Sequence, residues 1–107
     1  MENYKGVKYY IKKLKNHNNQ TYYCGYIVFD DIEWLCDLCK DISEYGEGCY
    51  FIDRMFSIYG GCTFYSRETS TFGFDTNHIV DIQEPKSKNF VIKQCMNIID
   101  QILDYNK

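Results

Sequence analysis

Between residues 89 and 105, apolar side chains fall at Val91, Ile92, Cys95, Ile98, Ile99, Ile102 and Leu103. Spacings of three and four place them on one broad stripe of a helix, and the rest of the chain has to cover a stripe that wide. A chain of 107 residues supplies enough covering structure for one domain, 1–107, and not for two. Ser87 or Asn89 stands where this helix needs a cap.

The cover reads as sheet. Residues 5–15 alternate, with Val7, Tyr9 and Ile11 on one side and Lys8, Tyr10 and Lys12 on the other. The polar run 16–20 is rich in turn formers, and 21–29 is the returning strand, with Gly25 a candidate bulge. A second hairpin is expected from 62–66 and 71–75 around a turn at 67–70. Between the hairpins, Asp30 is placed to cap a helix whose stripe is Ile32, Leu35, Cys36, Cys39 and Ile42, and Gly46 or Gly48 is expected to end it. Residues 49–58 give mixed signals: Tyr50-Phe51-Ile52 looks like a strand, while Met55-Phe56 breaks the alternation. Residues 76–87 hold the single proline, Pro85, and read as loop. The sum is an α+β fold: an antiparallel sheet of four or five strands, built from two hairpins, with two helices, the C-terminal one longest.

Composition narrows the class further. Apolar residues are 45% and charged residues 25%, a balance that excludes intrinsic disorder. No apolar run is long enough for a membrane helix, and the first residues lack the apolar core of a secretory signal. The expectation is a cytoplasmic protein without membrane contact. No cofactor motif is present, and no cofactor is expected. Six cysteines stand at 24, 36, 39, 49, 62 and 95, and reduced, buried thiols are expected of them. Cys36 and Cys39 have the spacing of a zinc or redox pair, but no second pair follows.

Charge is unevenly placed. Residues 1–20 sum to +4 and residues 30–53 to −7. Asp37, Asp41 and Glu44 lie off the apolar stripe, where they form either a solvated face or a surface for a basic partner. The lysines of the first strand read as protection of a sheet edge, which argues against direct nucleic-acid binding.

Polar groups with chemical potential concentrate in 60–81. Gly60-Gly61 permits close backbone approach and can offer amide donors to an anion. Asp75, His78 and Asp81 are spaced by three, so one turn can bring two carboxylates to an imidazole. Such a group can bind a divalent metal, orient the imidazole for acid–base work, or hold a ligand. It can equally be a hydrogen-bonded loop.

This stretch resembles an uncharacterised family of small proteins encoded by bacteriophages and other mobile elements. That family carries Gly-Gly-Leu-Thr-Phe, a short insert, and then a tryptophan-rich Gly-Phe-Asp segment with a following His and Asp at the spacing seen here. The matching residues are Gly60, Gly61, Thr63, Phe64, Gly73, Phe74, Asp75, His78 and Asp81. Cys24-Gly25-Tyr26-Ile27-Val28 is similar to an upstream segment of the family, and 90–103 to its closing helix. Ser70 and Thr71-Phe72 replace the family's tryptophans and following isoleucine. If those rings stack on a ligand there, this chain has either lost that contact or replaced it with Phe72 and nearby tyrosines. The resemblance implies a phage-encoded binding protein that blunts bacterial immunity, as anti-CRISPR proteins do, by occluding an immune effector with its acidic block. Two alternatives stand beside it. One is sequestration of a nucleotide signal, with aromatic rings on the base and Lys8 or Lys12 on phosphate. The other is a small hydrolase with a metal at Asp75, His78 and Asp81.

Overall fold

A computed structural model of the chain describes residues 1–105, leaving aside the side chains of Ile79 and Ile82. Its elements run β1 (Glu2–Tyr4), β2 (Val7–Lys15), β3 (Thr21–Val28), α1 (Glu33–Cys39), α2 (Tyr45–Met55), β4 (Phe64–Ser66), β5 (Thr71–Asp75), α3 (Ile79–Gln83) and α4 (Lys88–Tyr105). The five strands form one antiparallel sheet in the order β1-β2-β3-β5-β4. The α+β class and the dominance of the last helix are therefore as expected. No helix among the described residues is long and apolar enough to cross a membrane.

The fifth strand is not where the mixed signal at 50–52 suggested. It is β1, joined to β2 by a tight turn in which Lys5 and Gly6 both have positive φ, 52° and 87°, as a two-residue hairpin turn requires. Residues 49–55 belong to α2 instead. Cys49, Ile52 and Phe56 recur at three and four residues and are buried, whereas Tyr50 is 63% exposed. Helical burial thus overrides the strand preference of Tyr50-Phe51-Ile52.

Four further expectations are corrected. The helix after Asp30 ends at Cys39, so Asp41 and Glu44 lie in the connection to α2, and Gly46 and Gly48 lie inside α2. Asp30 caps nothing; Ile32 occupies the cap position, and the Asp30 carboxylate pairs with Lys8 Nζ at 2.8 Å. Gly25 is not a bulge, since it pairs regularly with Ile11 and Phe74. A Cβ there would come within 2.7 Å of Cys95 Sγ and of the Phe74 ring, so the glycine lets α4 sit directly on the sheet. The expected loop 76–87 also contains the short helix α3.

The sheet has one dry face. Tyr65, Phe72, Ile27 and Tyr9 face one another across four strands in register and join the buried side chains of α1, α2 and α4 in one core. On α4, Val91, Cys95, Ile98, Ile99 and Ile102 are fully inside, while Leu103 faces outward. Ser87 caps α4: its Oγ accepts the Phe90 N–H at 3.1 Å.

Candidate functional site

The next row of the sheet, one residue along each strand, points the other way. It runs Tyr10, Tyr26, Gly73, Phe64. Tyr10 and Tyr26 stack in parallel with ring centres 4.8 Å apart, and Phe64 meets Tyr26 edge-on at 5.5 Å. Lys12 Nζ stands 5.3 Å from the Tyr26 ring centre. This aromatic row lies on the face opposite the core, where Tyr45 of α2 meets Phe64 edge-on at 6.1 Å. Lys8, the other candidate for phosphate, is committed to Asp30 and Asp31 at 2.8 and 3.5 Å.

The Asp75–His78–Asp81 group forms where β5 runs into α3. Asp75 Oδ1 accepts the Asn77 N–H at 2.9 Å and lies 3.5 Å from His78 Nε2. The Nε2 atom is buried and makes no hydrogen bond among the described residues. Asp81 turns away from the imidazole. Its carboxylate accepts the His78 backbone N–H at 3.3 Å and the Tyr59 hydroxyl, while its own N–H donates to the His78 carbonyl at 2.9 Å. Lys86 Nζ is 3.8 Å from it. The hydrogen bond to Asp81 is the main cause that pushes the Tyr59 hydroxyl up to about 12.

The ring of His78 rests on Gly60. That residue has φ +69°, and a Cβ on it would fall 2.2 Å from His78 Nε2. Gly61 N–H donates to the Ile58 carbonyl at 2.9 Å and Cys62 N–H to Asp53 Oδ1 at 2.7 Å. Thr63 N–H is bonded to the Gly73 carbonyl at 2.9 Å. The Gly-Gly segment therefore directs amides inward to the protein and cushions the imidazole.

The structure thus brings together Gly60, Asp75, His78 and Asp81, with Gly61 and Thr63 holding the adjoining segment. It separates Phe72 from them in role. Phe72 is 0% exposed and packs on Phe56 and Phe29 with ring centres 6.2 and 5.9 Å away, so no ligand ring can reach it in this fold. Asp81, 2% exposed, is likewise occupied by its own neighbours. The crevice beside it, between Gln20–Tyr22 and Pro85–Lys86, encloses no volume that a water molecule could fill. A groove of about 350 Å³ lies elsewhere, between Met1–Glu2, Tyr9–Ile11, Lys88 and Ile92; Tyr10 of the aromatic row lines it, and none of the site residues expected from the sequence does.

No group of three His, Cys, Asp or Glu side chains among the described residues is arranged to hold a metal ion. The Cys36 thiol donates to the Phe29 carbonyl at 3.1 Å, and Cys39 is buried. Tyr59 and Asp53 are the partners that sequence reasoning missed. Each touches the site across a fold contact, although Tyr59 directly precedes Gly60.

Asp37, Asp41 and Glu44 are all exposed and form no side-chain hydrogen bond or ion pair among the described residues. Glu33 and Glu47 are exposed as well, on α1 and α2, and so is Lys40, whose carbonyl accepts from Arg67 Nη1 at 3.0 Å. No family model, curated protein or solved structure matches the chain.

Proposed function

We propose that this is a phage-encoded binding protein that inhibits a bacterial immune effector by covering a basic surface on it. The observation that carries the reading is the unpaired acidic surface of Asp37, Asp41 and Glu44. Carboxylates left without internal partners contribute little to folding and remain free to steer and hold a basic partner. The resemblance in 60–81 supplies the phage context, and the His78 group serves there to shape the segment around Gly60.

The test begins with size-exclusion of the protein against purified immune effectors of the bacterial host. Changing Asp37, Asp41 and Glu44 together to lysine is expected to leave the melting temperature nearly unchanged. The same change should weaken a salt-sensitive complex at least about tenfold, which is roughly 1.4 kcal/mol. A triple variant that binds as tightly as the parent protein removes the acidic surface from the function.

A second reading has its own support in the row Tyr10, Tyr26 and Phe64 with Lys12 beside it. Aromatic rings on this sheet face, next to a cation, suit a base and its phosphate. On this reading a linear or cyclic nucleotide raises the melting temperature without being turned over, and Tyr10→Ala abolishes the rise. If nucleotides leave the transition where it was, the row serves the sheet alone.

A further inference from the structure

Cys49, on α2, and Cys62, in the segment leading into β4, place their sulfurs 3.2 Å apart. No other two sulfurs among the described residues are in hydrogen-bond contact. The contact is held from both sides. Cys49 is buried against the core, and the Cys62 backbone is drawn to the same helix by its N–H bond to Asp53 Oδ1 at 2.7 Å. The neighbouring Cys62 Sγ–Phe64 carbonyl contact, 3.2 Å, fixes the thiol's rotation. It is this pair, and not the closely spaced Cys36 and Cys39, that the fold prepares for joint chemistry.

We propose that Cys49 and Cys62 are a reversible dithiol–disulfide pair that cross-links α2 to the Gly60–Gly61 segment when a low-molecular-weight disulfide oxidises it. A disulfide bond is about 2.05 Å long, so the sulfurs have to approach by only about 1 Å. In the first step the thiolate of one cysteine attacks a sulfur of glutathione disulfide. The reagent's S–S bond breaks, a mixed disulfide forms, and one glutathione thiolate leaves. In the second step the other cysteine attacks the protein sulfur of the mixed disulfide, closes the Cys49–Cys62 bond and expels the second glutathione. Two protein thiols are oxidised, one glutathione disulfide is reduced to two glutathiones, and the two thiol protons end on them.

Burial pushes both thiols up from their ordinary range, so closure is slow near neutrality and speeds up as pH rises and thiolate forms. The bond would close a loop between residues 13 apart, restricting the unfolded chain and raising the melting temperature. It would also fix the segment that cushions His78.

The experiment uses the whole protein, reduced, then equilibrated with excess glutathione disulfide at mildly alkaline pH, alkylated, digested and weighed. The expected product is a peptide joining Cys49 to Cys62, lighter by two hydrogen atoms and split again by dithiothreitol, with a raised melting temperature. Cys49→Ser and Cys62→Ser are each expected to lose it, and Cys36→Ser to keep it. A cross-link to any other cysteine, a persistent glutathione adduct at Cys62 without closure, or recovery of both thiols alkylated overturns the proposal. If a serine variant does not fold, the peptide map of the unaltered protein decides by itself.

Discussion

Phe72→Ala is expected to remove about 3–5 kcal/mol of folding stability, the range for emptying a buried phenylalanine site. The ring is 0% exposed and lies between Phe56 and Phe29 at the middle of the sheet's dry face. Neighbours held by four strands and three helices cannot collapse into the vacated space, so the cavity persists. A small domain has roughly 5–15 kcal/mol in total, and the variant would sit close to unfolding at room temperature. Urea denaturation reads the loss directly. A change below about 1 kcal/mol would place the ring outside the core and reopen it as a ligand contact.

Asp81→Ala is the second large effect, expected at about 2–3 kcal/mol because it strands two donors in a closed site. The Tyr59 hydroxyl and the His78 N–H both donate to this carboxylate. Tyr59→Phe should cost less, about 1 kcal/mol, since it removes a donor without orphaning a buried charge partner. In the Asp81→Ala background, Tyr59→Phe should cost almost nothing further, because the interaction is already gone. Independent, additive losses would mean that the two side chains do not act on each other. His78→Ala, which leaves the Asp81 acceptor in place with its backbone partner, is expected to be milder than Asp81→Ala.

The parts of this molecule that were legible in the sequence are those whose burial repeats along the chain. The α4 stripe from Val91 to Ile102 and the β2–β3 hairpin each carry their period in consecutive residues, and each appears where the period puts it. The α2 helix was obscured because Tyr50, Phe51 and Ile52 prefer strands individually, while the deciding spacing runs through Cys49, Ile52 and Phe56. At β5 the signal was present. Phe72 and Phe74 alternate with Thr71, Gly73 and Asp75, which places both rings on one face, and that face is the core. The state of Asp81 was not legible, because it depends on Tyr59, 22 residues away. The pairing of Cys49 with Cys62 likewise exists only after α2 and β4 have met.

The placement of α4 has a consequence for synthesis. The dry face of the sheet, with Tyr9, Ile27, Phe72 and Phe74, is roofed by a helix that begins at Lys88. Until that helix has been made, α1 and α2 cover only part of the dry face, and the ribosome-bound chain carries an apolar sheet surface that invites association with other chains. Folding of this domain therefore waits until α4 has been made, and a chain truncated before Lys88 should yield aggregate rather than a smaller folded product.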